Sequence, residues 1–391
     1  MTSWETYRLG EIGKIVTGKT PRTSQSEYFD GDIPFITPAD LNTPFKRILS
    51  TQRTLTIEGL NSIKGCIIPA NSIAVSCIGN LGYVGITNQI CATNQQINTI
   101  IVNNQFDSHF IYYTIKHLWP YFKNLEGQST TLSILNKTQF SQIEISLPSL
   151  EEQRRIAGIL GAIDDKIENN RCINTNLELQ AQALYKQWFV DNRSDDWEEK
   201  QLSEIALHIT DGVHNTVIDS PEGEYYLLSC KNIKSGQLLI GSNERRIDRE
   251  TFAKLRKRTR LSQGDILVTS VGTVGEMYLV NEFPTNYEFQ RSVAIIKPNQ
   301  DIISSYFLYA ALLYQRNELK HLAHGAVQQC IFISDLKEYS FIVPNKNDIS
   351  AFDEVVAPMF NKIGELQKEN EALSTLRDTL LPKLMNGEIK L

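Results

Sequence analysis

The residues with the most obvious chemical promise in this 391-residue chain lie near its start. Gly13-Lys14-Ile15-Val16-Thr17-Gly18-Lys19-Thr20 satisfies G-x-x-x-x-G-K-[ST], the pattern of a loop that cradles phosphate with backbone N–H groups and a lysine. Such a loop must follow a buried strand and open a helix whose N-terminus faces the phosphate. Here Ser3 to Leu9 is no apolar run, Ile15-Val16 reads as strand, and Pro21 follows at once. Other motifs fail in similar ways. Asp32-Ile33-Pro34-Phe35 lacks the first proline of the D-P-P-[YF] tetrapeptide of amino-methyltransferases, and no glycine-rich turn for a methyl donor accompanies it. His321-x-x-His324 has no carboxylate at metal spacing, and the E-x-K triplets Glu198-Glu199-Lys200 and Glu388-Ile389-Lys390 arise freely by chance. The six cysteines form no C-x-x-C, and there is no G-x-S-x-G. The expectation is a chain without catalysis, cofactor or metal.

Binding is the remaining option. The net charge is -6, which argues mildly against nucleic acid, but a whole-chain sum hides local patches. Arg245, Arg246, Arg249, Lys254, Arg256, Lys257, Arg258 and Arg260 crowd into 16 residues with only Asp248 and Glu250 opposing them. That stretch carries +6, so the rest of the chain carries -12. Cysteine usage, the absence of a secretory pattern at Met1–Glu5 and the lack of a long apolar run predict a cytoplasmic protein with no membrane partner.

The elements that would position such a patch occur twice. Trp4-Glu5-Thr6-Tyr7-Arg8-Leu9-Gly10-Glu11-Ile12 returns as Trp197-Glu198-Glu199-Lys200-Gln201-Leu202-Ser203-Glu204-Ile205, a shift of 193. At the same shift, Asn71–Gly82 matches Gly264–Gly275; each is an apolar strand running into a G-x-x-G turn. Leu147-Pro148 answers Val343-Pro344 at a shift of 196, as small loop insertions would produce. A period this long is no solenoid; it is a duplicated two-part module.

The second part of each module is helical. Ile156, Leu160, Ile163, Ile167, Asn170, Asn174, Leu177, Ala181, Leu184 and Trp188 fall at alternating spacings of four and three. Phe352, Val356, Met359, Ile363, Leu366, Asn370, Leu373, Leu380 and Leu384 repeat the seam at a shift of 196, and only Arg377 breaks it. So narrow an apolar stripe needs a partner helix. The two copies are the obvious partners, with Asn174 and Asn370, at the same step, fixing register. Pro358 should kink or start the second helix, and Pro382 should end it near Leu381. Ile156 to Trp188 would run roughly 50 Å. The predicted fold is α+β: β-rich mixed domains at 1–149 and 191–345, joined by long antiparallel coiled-coil helices at 150–190 and 346–391, with pseudo-twofold duplication.

This layout resembles the specificity subunit of type I restriction–modification systems, and the resemblance covers essentially the whole chain. It rests on Trp4-x-x-Tyr-x-Leu-Gly-Glu-Ile, Gly18-Lys19-Thr20-Pro21, Gly31–Leu41, Leu147-Pro148 with Glu152–Ala157, Tyr185–Asp191, Thr210–His214 and Leu376–Ile389, in that order. Before the second helix Asn347-Asp348-Ile349-Ser350 stands in place of the family's E-x-Q-x-x-I. The resemblance implies two target recognition domains that each read half of a bipartite site on double-stranded DNA. The helical spacer sets the gap, and about 50 Å spans about 15 base pairs. Two modification subunits carrying the methyl-donor site would dock on the helices, and restriction subunits using ATP complete the larger complex.

On that footing the basic cluster Arg245, Arg246, Lys254, Arg256, Lys257, Arg258 and Arg260 would neutralise phosphate, with a few arginines reaching guanine. In the first domain Lys19, Thr20, Arg22, Thr37, Arg47 and Arg53 are the candidates, with His214 a weaker one in the second. Asn94 and Gln95 either read adenine or serve as buried structural amides; the echo of Gln95-Gln96 in Gln290-Arg291 favours structure. Gly79-x-x-Gly82 and Gly272-x-x-Gly275 read as shared scaffold turns near the DNA. The competing reading is a duplicated coiled-coil scaffold whose domains bind protein, which leaves the arginine cluster unexplained.

Overall fold

A computed structural model describes residues 4–389 apart from 44, 128–132, 242 and 326–328. Lys390, and with it one E-x-K triplet, lies outside the described residues. The chain forms two compact units, Met1–Asn170 with Glu369–Leu391, and Arg171–Lys368.

In the first unit a five-stranded sheet runs in the order Gly13–Thr17, Ile97–Val102, Ile73–Ser76, Val84–Thr87, Arg47–Ile48. A smaller sheet pairs Phe29–Ile36 with Arg53–Leu55 and Ala92–Thr93, and Glu5–Arg8 pairs antiparallel with Glu144–Leu147. The second unit repeats the plan. Its main sheet runs Ala206–Asp211, Val293–Pro298, Ile266–Thr269, Met277–Leu279, beside Arg246–Ile247, Tyr225–Leu228 and Tyr287–Phe289, and Glu198–Gln201 pairs with Ser340–Val343. Register makes the repeat quantitative. Val75 faces Asn98 and Val268 faces Ala294, so the shift grows from 193 to 196 between these strands. The three added residues lie in the connection after Val280, which is longer than the one after Thr87. Each core is apolar strand residues against a helix, Ser108–His117 in one unit and Ser305–Tyr314 in the other.

The seam residues lie where their spacing places them. One long helix spans Leu150–Tyr185 and continues as a π-helical turn, Lys186–Asp191; the second spans Lys346–Met385. In the first unit Ile156, Leu160 and Ile167 are buried and Ile163, Leu373 and Leu380 half-buried; Ile156 and Leu160 share a core with Leu381 and Leu384. In the second, Phe352, Val356 and Ile363 are buried with Ala181, and Leu177, Leu184 and Trp188 pack against them. Within the first unit Asp164 meets Arg377 and Asn170 meets Glu369, so the two helices run antiparallel there. Burying such a stripe holds each helix at about 1.5–3 kcal/mol per large apolar side chain.

Three helix expectations need correction. Pro358 does not start the second helix, which runs through it from Lys346; Pro358 and Glu354 are exposed, so water can satisfy the carbonyl that loses its partner. Pro382 does not end it either. The helix reaches Met385 and stops where Gly387 turns left-handed (φ 69°), with Gly387 N–H donating to Leu384 O and Glu388 N–H to Lys383 O. Finally, the amide across the seam from Asn370 is Asn170, not Asn174: Asn170 Nδ2 donates to Asn370 Oδ1 at 3.0 Å. Asn174 is buried and its side-chain amide has no hydrogen-bond partner among the described residues.

Candidate nucleic-acid interface

In the phosphate-loop look-alike, Gly13–Thr17 is a strand and the chain continues through Lys19 as loop. Gly18 is required for a different reason. An added Cβ would run into the carbonyl oxygens of Thr93 and Asn94, and Gly212 meets those of Phe289 and Gln290 in the same way. The close approach is made by matched hydrogen bonds. Gly18 N–H donates to Ile97 O at 3.0 Å and Gly212 N–H to Val293 O at 3.1 Å; Lys19 and Val213 N–H donate to Thr93 O and Phe289 O, both at 2.9 Å. The look-alike is therefore a scaffold joint between a strand end and a neighbouring turn. Gly79, Gly82, Gly272 and Gly275 all hold left-handed conformations (φ 79–84°), as their turns require.

The arginine cluster divides once placed. Arg256 forms an ion pair with the fully buried Glu288, and its guanidinium also donates to Pro284 O and Tyr287 O. Burial pushes the Glu288 carboxyl up, opposed by Arg256. Arg245 binds Asp219 and Val217 O, and Arg246 binds Gly223 O and lies over the Tyr226 ring. Arg258 holds Gly212 O at 2.7 Å and Asp211 at 3.1 Å. Lys254, Lys257 and Arg260 are exposed; the first two share a face with Arg258 on the helix Arg249–Thr259, which Asp248 caps. A nominal +6 is thus partly consumed inside the fold.

The first unit treats its candidates similarly. Thr37 is a helix cap, bonded through its hydroxyl to Asp40 at 2.7 Å. Arg47 is half-buried, with Asn71 at 3.1 Å and His109 at 3.3 Å. Arg53 is exposed over the Phe29 ring, Lys19 and Arg22 are exposed, and Thr20 donates to Gln95 Oε1 at 2.8 Å. In the second unit His214 is exposed and bonded to Asp211 at 2.6 Å.

The amide run near residue 95 separates into two roles. Asn94 is buried, accepting from Gln96 N–H at 3.0 Å and donating to Gln96 Oε1 at 2.9 Å, whereas Gln95 is exposed. The sequence alignment of this turn needs correcting by one residue. Asn94 N–H donates to Ile36 O as Gln290 N–H does to Leu228 O, and Cys77 N–H to Gln96 O as Ser270 N–H does to Ser292 O. Gln95 therefore corresponds to Arg291, which is also exposed. Sequence reasoning missed Arg291 because it paired Gln95-Gln96 with Gln290-Arg291 at a shift of 195, one residue short of the 196 that the hydrogen bonds give. Register is the signal that finds it.

The chain matches the type I restriction modification DNA specificity domain twice, over residues 1–179 and 194–373. It belongs to that family. It is 30% identical to the type I restriction enzyme MjaIX specificity subunit of Methanocaldococcus jannaschii, over 99% of this chain and 94% of that one. The MjaVIII specificity subunit of the same organism is 23% identical, over 99% and 93%. Among solved structures, the type I restriction–modification S subunit from M. genitalium superposes with a TM-score of 0.58 at 17% identity, covering 98% of this chain and 96% of that one. The specificity-subunit fold, with two recognition domains and paired long helices, is thus this chain's own. Among its described residues no helix is long and apolar enough to cross a membrane, and no three His, Cys, Asp or Glu side chains gather as a metal site. Burial pushes the Cys77 and Cys91 thiols up to about 12, so neither is a ready nucleophile.

Proposed function

We propose that this chain reads a bipartite DNA target for a type I modification complex, each recognition domain taking one half-site. The observation that carries the reading is the match of both halves to one DNA specificity domain, each half built onto a stretch of the long paired helices. The helices set the gap: the first is 36 residues, about 54 Å or roughly 16 base pairs. They also offer docking faces for two modification subunits, which supply the methyl donor and the target-base pocket. Restriction subunits that use ATP join the same complex, which works on DNA in the cytoplasm. The chain itself performs no chemistry; its contribution is affinity and register. Exposed Lys19, Arg22, Arg53, Lys254, Lys257, Arg258 and Arg260 contact phosphate, with Thr20 and His214 beside them.

The test is the methylated motif in DNA from cells expressing this chain with its modification subunits. A bipartite motif with one fixed gap is expected. Exchanging residues 191–345 for the second domain of another family member should change one half-site only. A motif that does not depend on the chain, or a swap that alters both halves, would overturn the reading.

A further inference from the structure

Each domain holds the same small structure carrying different side chains. Beneath it the hydrogen bonds correspond one for one. Leu135 N–H donates to Cys77 O at 2.8 Å as Ile331 N–H does to Ser270 O at 2.9 Å, alongside the matched bonds of Gly18 and Gly212. The supporting side chains match as well, Leu135 and Ile97 answering Ile331 and Val293, all buried. Above this frame the likeness stops. Thr20 and Gln95 stand where the second domain has His214 and Arg291, and Asn136 stands where it has Phe332.

In the second domain these positions line an open hollow of about 500 Å³, with His214, Arg291 and the exposed Phe332 on its walls. Asp211 also faces it, but its carboxylate is taken by His214 and Arg258. Among the described residues no carboxylate pairs with the Arg291 guanidinium. In the first domain Thr20 donates to Gln95 Oε1, and the exposed Gln95 keeps its amide NH₂ as a donor.

A shared backbone with divergent exposed tips is what two readers of unlike half-sites need. Resting on the proposed function, we propose that Gln95 and Arg291 are the equivalent base-reading residues of the two domains. Their chemistry suits different bases. A glutamine amide pairs in two-pronged fashion with adenine N6 and N7, and a guanidinium with guanine O6 and N7. Thr20 acts as a positioning residue that holds the Gln95 amide, and Phe332 lines the same hollow as Arg291. The surrounding lysines add affinity without sequence preference.

The experiment uses the complex of the full chain with its modification subunits, bound to a cognate duplex and to a random-sequence competitor. Arg291→Ala should cut the preference for cognate over random DNA about 10-fold or more, the loss expected for one two-pronged pairing. In cells it should relax one position of the second half-site, leaving the first half-site and the gap unchanged. Gln95→Ala should do the converse. Arg291→Lys keeps the charge, so a base reader loses preference there too while affinity for random DNA holds. The proposal is overturned if Arg291→Ala weakens cognate and random DNA by the same factor, or changes nothing. It also falls if either variant relaxes both half-sites. Both side chains are exposed, so unfolding is not expected; an unchanged melting temperature checks this. A wild-type complex without cognate preference would instead sink the proposed function.

Discussion

Arg377 reaches across the helix seam to Asp164, Nη1 to Oδ1 at 2.9 Å, at the one step where the apolar periodicity of the second helix fails. Both side chains are largely buried, and Asp164 also accepts from the Tyr113 hydroxyl at 2.7 Å. Burial would raise the Asp164 carboxyl, but Lys116, Arg377 and the tyrosine outweigh it and hold it low. Its ionised form is therefore the native one. The break in the heptad is a satisfied ion pair, not a fray.

Breaking that pair from one side should cost more than removing it. Arg377→Leu leaves a buried carboxylate with less compensation and should destabilise the chain by about 3 kcal/mol. Arg377→Leu combined with Asp164→Leu restores an apolar seam and should recover most of that loss. A double-mutant cycle by denaturant unfolding measures the difference; strictly additive losses would refute the coupling. The pair also predicts acid sensitivity. With its folded pKa depressed, Asp164 contributes stability that is present above the unfolded carboxylate range and lost as pH falls through the folded value.

How much of this was legible follows from what burial writes into sequence. The strands, the duplication and the seam leave periodic apolar residues, and these were readable from Ile156 to Leu384. The family's order of motifs was readable too. What could not be read was where polar side chains spend their bonds. Arg256 and Lys257 are neighbours in one charge run, yet one closes on a core glutamate while the other faces solvent. Gln153 looks like part of a helix-start motif, yet it is buried and ties Pro148 O to Asp107 N–H. Prolines misled for the same reason. At Pro382 local propensity says stop, yet the helix runs on to Met385.

The division of the arginine cluster is testable by salt. Lys254→Ala with Lys257→Ala, in the full complex, should lower DNA affinity and flatten its dependence on log salt by about 2, near 0.9 for each phosphate that is no longer neutralised. Arg256→Ala should behave differently. It strands Glu288 in the core and should cost about 3 kcal/mol of stability, with the salt slope unchanged in the fraction that stays folded. Equal slope changes in both variants would show that Arg256 is free to reach DNA.

A third expectation concerns pH. Glu178, on the first long helix, is pushed up to about 7 by burial, with Arg316 lowering it and Glu276 raising it. A raised folded pKa means that the favourable contribution is complete below the unfolded value near 4.5 and is lost as pH rises through about 7. Glu178→Gln should therefore stabilise the chain at pH 8, by roughly 1–2 kcal/mol after solvent screening. Near pH 4.5 it should do little. Melting temperatures of both proteins across this range decide it; a constant offset at every pH would count against the assignment.

The spacer role makes the sharpest demand on the helices. One heptad added between Asn170 and Asn174, with a second between Leu366 and Asn370, lengthens both helices and keeps each seam in phase. Seven residues add about 10.5 Å along the axis, close to three base pairs. The methylated motif should keep both half-sites and widen its gap by about that amount. Adding the heptad to one helix alone keeps Asn170 on Asn370 but offsets the pairings on the far side of the insert, and should abolish assembly with the modification subunits. An active complex with an unchanged gap would separate helix length from target spacing.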